Sequence, residues 1–296
     1  MQEPLDSIAS VLESTGDYRV LRRIGPFTPG PDQPNEPTFT GLILDTETTG
    51  TDFTHDEVIE LGIIKFEYGA SGRIYRVLET FNQLHQPKKP IPEAITRLTG
   101  ITDADVAGQC IDDVAVHALA ADAAVIIAHN ASFDRQMCEG RWPVFADKNW
   151  ACSCHQVPWR EEGHEGLKLG YLLIDCGFFH NGHRAIDDCH ALLQLLARPL
   201  KTSGRLALAC LLETARKPTV RLWAQGSPIE TKDLLKARSY RWSGRRRCWY
   251  VDLDEQQIEI ERTFLSETVF RRAVADLPAE RITARDRFSL RTNPEI

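Results

Sequence analysis

Two carboxylates directly follow one of the most apolar segments of the chain. In GLILDTETTG, residues 41–50, the apolar residues 42–44 predict the end of a buried strand, and Asp45 and Glu47 come next. Because side chains alternate along a strand, residues 45 and 47 project from the same face. Adjacent carboxylates repel each other and raise at least one pKa unless a cation lies between them. Asp45 and Glu47 therefore indicate either a cation-binding site or an ordinary polar strand end. Further acids from other parts of the chain at the same place would favour the cation-binding site.

Strand-like segments come first in this part of the chain and helical segments follow. GLILDTETTG, VIELGIIKFEY and GRIYRVLETFNQL predict three successive strands separated by turn residues. The segment PEAITRLTGIT is helical in character, AAVIIAHN contains a fourth strand, and SFDRQMCEGRW and HRAIDDCHALLQLLARPL have apolar residues at helical spacing. This order predicts an α/β domain in which helices flank a mixed sheet.

Composition divides the chain of 296 residues into three parts. Residues 1–38 predict an extension, with an amphipathic helix over residues 4–15, a strand in DYRVLRRI and a proline-rich linker, GPFTPGPDQPNEPTFTG. Residues 39–205 hold the predicted α/β domain. Beyond a break at ARKPT, residues 218–296 predict a small α+β module: TVRLWAQ and RRCWYVDL as strands, TKDLLKARSY as a helix, and a helical tail.

Charge is distributed unevenly along the chain. The net charge is −7, yet residues 201–250 contain twelve Lys and Arg against three Asp and Glu. The stretch TKDLLKARSYRWSGRRRCWY combines cations for phosphate with aromatic rings for base stacking, the two ingredients of single-strand binding. A solvated basic turn with its tryptophans in a small core is the alternative. The candidate nucleic-acid contacts are Arg245, Arg246, Arg247, Trp242 and Trp249.

Neither a membrane span nor a signal peptide is predicted. The chain has no run of 18 apolar residues, and its N-terminus lacks the basic start and apolar stretch of a leader, so we expect a cytoplasmic protein without membrane association. The eight cysteines are therefore expected to be reduced. Cys152, Cys154 and His155 raise the alternative of structural zinc, but no second ligand pair at ordered spacing accompanies them, which favours ordinary thiols.

Further acids lie where two other predicted elements begin. The strand in AVIIAHNASFD leads to His129, Asn130 and Asp134, and HRAIDD places a histidine and two acids at the start of a helix. Each has an ordinary explanation alone, because acids are favoured as helix caps and in the first helical turn. Taken together they indicate a site, since polar residues at strand ends and loops commonly build one.

Three ordered motifs, DTETTG, HNASFD and the H-x4-D pair His183 and Asp188, resemble the exonuclease motifs of the DEDDh family. That family includes the proofreading epsilon subunit of bacterial DNA polymerase III, and its fold is RNase H-like. The resemblance covers about residues 40–200. ITRLTGIT is also similar to the segment with which the family wedges its substrate, but it departs from the pattern at Thr99, where many members have histidine.

The resemblance implies the catalytic residues: Asp45, Glu47, Asp134, Asp188 and His183. It implies that the four acids hold two Mg²⁺ or Mn²⁺ ions, for which oxygen ligands are suited. Asp45, Glu47 and Asp188 would be direct ligands and Asp134 would act through water. His183 would accept a proton, since an imidazole with an unperturbed pKa of about 6.5 can do so near neutrality. Asp187 is a rival for Asp188, and the motif spacing favours Asp188.

The resemblance also implies a single-stranded 3′ end as substrate, with nucleoside 5′-monophosphates as products. The candidate substrate contacts are Thr46, Thr48, Leu98, Ile101, Asn130 and Phe133, although Phe133 also fits a core position.

The leading hypothesis is a metal-dependent 3′–5′ exonuclease on single-stranded DNA. An exoribonuclease would use the same catalytic residues, since discrimination of the 2′-hydroxyl depends on pocket shape. A polymerase-associated binding subunit is a further alternative, and a DNA polymerase or a repair protein is the candidate partner. An inert scaffold is disfavoured because all five catalytic positions are filled.

Overall fold

A computed structural model describes residues 2–28, 33–274 and 277–295. The strands are β1 (Arg22–Arg23), β2 (Thr38–Thr48), β3 (Val58–Gly69), β4 (Ile74–Leu84), β5 (Val125–Ala128), β6 (Trp150–Cys152), β7 (Phe178–Phe179), β8 (Thr219–Ala224), β9 (Arg241–Ser243), β10 (Cys248–Asp254) and β11 (Ala279–Ile282). The α-helices are α1 (Gln2–Ser14), α2 (Glu93–Thr99), α3 (Asp103–Val106), α4 (Asp113–Ala121), α5 (Ala131–Arg141), α6 (Ser153–Gln156), α7 (Leu169–Asp175), α8 (Ala185–Leu196), α9 (Ala207–Arg216), α10 (Lys232–Ala237) and α11 (Ile258–Phe264).

A five-stranded mixed sheet, in the order β4-β3-β2-β5-β6, forms the centre of the larger domain. β2, β3 and β4 are antiparallel, whereas β5 and β6 run parallel to β2. The three antiparallel strands confirm the predicted meander. The parallel pair follows from helices that cross over between strands. The predicted fold class, an RNase H-like mixed sheet flanked by helices with a further small sheet domain, is confirmed.

Helices cover both faces of this sheet, and strand alternation decides which residues each face buries. Ile43, Ile64 and Ile127 lie in one core with leucines of α8 and α9. Leu42 and Leu44 lie in a second core, with residues of α4 and α5. Odd-numbered residues of β2 therefore face α8, and even-numbered residues face α5.

The second sheet has the order β11-β8-β10-β9, with antiparallel neighbours throughout. The predicted strands and helix of this module are present. The predicted helical tail is present as α11 and a π-helical turn at Leu265–Phe270, but strand β11, which was not predicted, follows them. That strand has only four residues, too few for a clear alternating pattern.

The N-terminal extension contains the predicted helix as α1. The predicted strand in DYRVLRRI reduces to Arg22–Arg23, which pairs in parallel with β7. Residues 29–32 of the predicted linker lie outside the described residues. Within the described ranges, no helix has both the length and the apolar character that crossing a membrane requires.

The C-terminal segment returns to the larger domain and packs on α5. The Arg135 side chain is fully buried, and its guanidinium donates to the carbonyls of Ala146, Arg285 and Arg287 at 3.2, 2.7 and 2.7 Å. Its Nε lies 2.6 Å from the carboxylate of Glu139. Arg135 therefore joins the helix that carries Asp134 to a stretch 150 residues further along the chain.

Arg135→Met is expected to reduce the free energy of unfolding by about 3–5 kcal/mol, because it leaves the Glu139 carboxylate without its cationic partner and the Arg287 carbonyl without its donor. Arg285→Met is the matched control: that side chain is 59% exposed and pairs with the exposed Asp147, so a loss of about 0.5 kcal/mol is expected. Urea denaturation of both variants measures the difference. Equal losses of unfolding free energy in the two variants would contradict the conclusion that Arg135 stabilises the contact between α5 and the C-terminal segment.

Candidate active site

Asp45 and Glu47 lie near the end of β2, on the face that α8 covers. Glu47 is opposite Glu60 of β3, and the register between the two strands shifts directly after Glu47. Such a bulge bends the strand and re-aims the neighbouring side chains. The two acids therefore point together toward the beginning of α8.

The first turn of α8 brings Asp188 to these two acids. Gly62 of β3 allows this approach, because a Cβ there would lie only 2.6–2.8 Å from backbone atoms of Ala185 and Ile186. Asp45, Glu47 and Asp188 each offer a carboxylate oxygen within 4.8 Å of the others. Among the described residues this is the one group of three or more metal-ligand side chains so arranged, and it includes Asp188 rather than Asp187.

Asp134 lies in the first turn of α5, packed against β2, and its expected role, to act through water rather than as a direct ligand, stays a prediction. It is 3% exposed, and its Oδ1 accepts from the backbone N–H and the hydroxyl of Thr46 at 3.0 and 2.9 Å. Thr46 faces α5 because it alternates with Asp45 and Glu47. Asp134 is therefore tied to the strand that carries the other acids, but it is not within the 4.8 Å group.

Burial and mutual repulsion raise the pKa values of these acids. Burial is the largest cause for Asp45, followed by the charges of Asp134 and Asp188, and its pKa lies well above the usual range. Burial and the charge of Asp188 raise the pKa of Glu47 to about 8. Burial raises the pKa of Asp134 to about 7 against the lowering effect of Thr46. Clustered carboxylates of this kind fit a divalent cation, which would offset their charge.

Without a divalent cation, the protein is expected to lose stability as pH rises from about 5 to 8. Glu47 and Asp134 keep protons in the folded state that the unfolded chain has released, since their pKa values rise from 4.5 and 3.8 to about 8 and about 7. Each such group lowers the free energy of unfolding by up to about 1.4 kcal/mol per pH unit in that window. Urea denaturation in EDTA at several pH values measures the slope.

The matched control for this prediction is Glu47→Gln, which should make the slope shallower and leave the part that Asp134 contributes. Mn²⁺ should restore stability at pH 8, because a ligand that binds only the folded state stabilises it. A metal-free wild type equally stable at pH 5.5 and pH 8 would contradict the prediction.

The loop between β7 and α8 carries two histidines beside Asp188. His183 is exposed, has a positive φ of 66°, and donates its backbone N–H to Asp188 Oδ2 at 3.0 Å. The Nε2 atom of His180 contacts Asp188 Oδ1, and its side chain is 7% exposed. The His183 imidazole is therefore at the surface beside the acids, whereas His180 is packed against one of them. His180 lies outside the motif spacing, so sequence reasoning missed it.

Arg184 and Glu60 hold the end of this loop, and neither was predicted. The Glu60 side chain is fully buried and accepts from Arg184 Nη2 at 2.9 Å and Nε at 3.1 Å. It also accepts from the backbone N–H of Ala185 at 3.1 Å. A glutamate inside the apolar run VIELGII is the sequence signal, although its partner lies 124 residues away.

A pocket of about 590 Å³ opens beside the acids. Its walls include Asp45, Asp188 and His183 together with Lys168 and Tyr171. Tyr171 is 57% exposed and Lys168 is also exposed. These two residues of the segment LKLGYLL were not predicted, because a lysine and a tyrosine beside a helix start carry no motif of their own.

Of the predicted substrate contacts near the acids, the two threonines are engaged internally. Both are buried: Thr46 donates to Asp134, and the Thr48 hydroxyl donates to the Gly50 carbonyl at 2.6 Å. Both hydroxyl protons are therefore engaged inside the protein, and contact of either threonine with substrate stays a prediction.

Asn130 and Phe133 lie at the beginning of α5. Asn130 is exposed with a φ of 77°, and its Oδ1 accepts from the Ser132 hydroxyl at 3.1 Å. Phe133 is half-buried, with its ring centroid 6.4 Å from that of Phe53. His129, before them, has both ring nitrogens 2.8 Å from partners in Ser153 and Leu167. Asn130 and Phe133 stay candidate contacts, while His129 has a structural role.

The predicted wedge divides into one exposed and one buried residue. Leu98 is 51% exposed at the end of α2. Ile101 is 2% exposed and packs with Ile59, Ile91 and Val106. Burial corrects the expectation for Ile101, whose side chain packs in the core, and Leu98 is the candidate that faces solvent.

The candidate contacts of the C-terminal module also divide by exposure. Trp249 is buried in the module's core, whereas Trp242 is 47% exposed and lies edge-to-face against it at 5.5 Å. Arg246 pairs with Glu280 at 2.7 Å. Arg245 and Arg247 are exposed, and no ion pair among the described residues includes either.

The arrangement of β2, α5 and α8, with Asp45, Glu47 and Asp188 gathered together, Asp134 bonded to the same strand and His183 beside Asp188, is that of the DEDD 3′–5′ exonucleases of RNase H-like fold. The sequence model of the RNase T exonuclease family matches residues 42–196, more than half of the chain, and the chain belongs to that family.

Relatives and solved structures agree with this assignment. The chain is 37% identical over 166 residues to the PolC-type DNA polymerase III of Caldanaerobacter subterraneus subsp. tengcongensis and 30% identical over 161 residues to that of Clostridium perfringens. These matches cover 54% and 52% of this chain, but only 11% of each polymerase. E. coli exonuclease I in complex with a dT13 oligonucleotide shares the fold, with a TM-score of 0.50 and 17% identity over 84% of this chain and 64% of that one.

Proposed function

We propose that this protein removes nucleotides from the 3′ end of single-stranded DNA and releases nucleoside 5′-monophosphates, with two Mg²⁺ or Mn²⁺ ions as cofactors. The observation that carries the proposal is the gathering of Asp45, Glu47 and Asp188 within 4.8 Å beside a pocket that His183 also lines. Exonuclease I, which shares the fold, is described in complex with a dT13 oligonucleotide. A cytoplasmic location stays a prediction.

Asp45, Glu47 and Asp188 would hold the ions directly, with Asp134 behind them. Bound divalent ions would supply Lewis-acid stabilisation of the charge that develops during hydrolysis. Thr46 orients Asp134 through two hydrogen bonds, which keeps its carboxylate fixed relative to β2.

His183 accepts the proton of the attacking water in this proposal. Its imidazole is exposed beside Asp188, and a general base must reach the proton that it removes. Lys168 and Tyr171 line the same pocket and offer a cation for a phosphate and a ring on which a base can stack.

A digestion series tests the proposal. A 5′-labelled single strand should yield a ladder that shortens from the 3′ end, and a phosphorothioate linkage at the 3′ end should block it while one at the 5′ end should not. A mismatched duplex and an RNA of the same sequence form the comparison arms. Faster cleavage of RNA would favour the exoribonuclease alternative, and immediate release of the 5′ label as a mononucleotide would overturn the proposed polarity.

The exposed part of the C-terminal module is proposed as a second contact with the strand. Removing Arg245 and Arg247 together should lower the salt dependence of single-strand affinity, the slope of log K against log salt, by about 1.4, since each phosphate contact adds roughly 0.7. Arg281→Ala is the control, because that exposed guanidinium pairs with Glu255 at 2.8 Å. An unchanged slope in Arg245→Ala/Arg247→Ala would favour a solvated basic turn.

A polymerase or a repair protein as partner stays a proposal. Its support is that the relatives named above are polymerases, of whose length this chain matches 11%. Co-purification with a polymerase subunit would test it.

A further inference from the structure

The N-terminal extension is joined to the strand that leads into the histidine loop. The Arg22 N–H donates to the Gly177 carbonyl and the Ile24 N–H donates to the Phe179 carbonyl, each at 2.9 Å. β1 and β7 therefore form a small parallel sheet, in which Arg22 is opposite Phe178 and Arg23 opposite Phe179. β7 has two residues, and a strand so short depends on its neighbour for its position.

Side chains reinforce this junction. The Arg23 guanidinium lies 5.0 Å from the centroid of the Phe179 ring. Gln194 of α8 donates to the carbonyls of Gly25 and Pro26 at 3.3 and 3.4 Å. Ile24 also packs against the core that α8 shares with the central sheet. The segment of residues 22–26 therefore contacts β7 on one side and α8 on the other, the two elements between which the histidine loop lies.

The histidine loop, residues 180–184, is short, so the position of β7 determines where the loop contacts Asp188. His180 follows β7 directly and contacts Asp188, and the His183 N–H donates to the same carboxylate. Arg184 anchors the far end of the loop on the buried Glu60. β1 supplies the corresponding anchor at the near end.

We propose that residues 22–26 are a positioning element of the active site, which fixes the near end of the histidine loop and so the orientation of His183 and Asp188. This inference rests on the proposed function, since it assigns the extension a part in the same reaction. Arg22 and Ile24 act through their backbone N–H groups rather than through contact with substrate.

Proline removes a backbone N–H, whereas alanine keeps it. The test compares Arg22→Pro/Ile24→Pro with Arg22→Ala/Ile24→Ala, because both pairs lose the same side chains and only the first loses the two hydrogen bonds to β7. The expected result is a kcat reduced roughly ten- to a hundredfold in the proline pair, with KM for a single strand within about threefold of wild type. Amide hydrogen exchange in residues 178–184 should accelerate in the proline pair alone.

Equal kcat and equal exchange in the two pairs would overturn the proposal, and so would a loss of kcat without faster exchange in the loop. Should the double proline variant not fold, Arg22→Pro against Arg22→Ala gives the same comparison at a position whose side chain is 45% exposed. A wild type without nuclease activity would refute the proposed function, while the exchange comparison would still decide whether β1 holds the loop.

Discussion

Asp45→Asn is expected to reduce turnover of single-stranded DNA by about 10⁴-fold. Asparagine keeps the size of the side chain and removes the charge at the centre of the acidic group. The metal-ion contribution to such reactions amounts to several kcal/mol, and each 1.4 kcal/mol is tenfold in rate. Single-turnover digestion of a labelled strand with saturating Mn²⁺ measures the loss.

The same substitution should stabilise the protein in EDTA near pH 8. Burial and the charges of Asp134, Asp188 and Glu47 raise the pKa of Asp45, so folding must either protonate this carboxylate or bury its charge, and asparagine avoids both costs. A lower melting temperature for Asp45→Asn than for wild type in EDTA would contradict this explanation. Asp187→Asn is the control for charge, because Asp187 is adjacent to Asp188 in sequence but outside the acidic group. It should retain turnover close to wild type.

The sequence predicted the parts of the fold that depend on local periodicity. The meander β2-β3-β4, the buried strand β5 and the apolar stripe of α8 have patterns that single segments carry. The acids Asp45, Glu47 and Asp188 could be predicted because the motif spacing locates them at the ends of these elements.

The alternation of side chains along β2 also indicates which face Thr46 and Thr48 occupy, although the motifs do not. A period of two places Thr46 and Thr48 on the opposite face from Asp45 and Glu47, toward α5. Their engagement inside the protein follows from that period.

Contacts between residues distant in sequence could not be predicted. Glu60 pairs with Arg184 across 124 residues, and Arg135 binds carbonyls 150 and 152 residues away. Such pairings depend on how elements pack rather than on any local pattern. β1 and β7 are too short to show a period, so their pairing likewise emerges only from the folded chain.

His183→Ala is expected to lower turnover by roughly 10²–10⁴-fold, the range of a general base, while affinity for a single strand stays unchanged. Its backbone N–H, which Asp188 accepts, is kept in this variant, so the geometry of the acid should persist. Single-turnover rates and strand binding in Ca²⁺ separate catalysis from affinity.

His180→Ala is the comparison for this prediction, because the His180 ring is packed against Asp188 instead of being exposed. Imidazole in the medium should restore part of the turnover of His183→Ala, since that side chain is exposed at a pocket large enough to admit the free base. Imidazole should not restore turnover in a variant that is slow because the Asp188 carboxylate has moved. A larger loss in His180→Ala, with rescue by imidazole there and not in His183→Ala, would transfer the role of the base from His183 to His180.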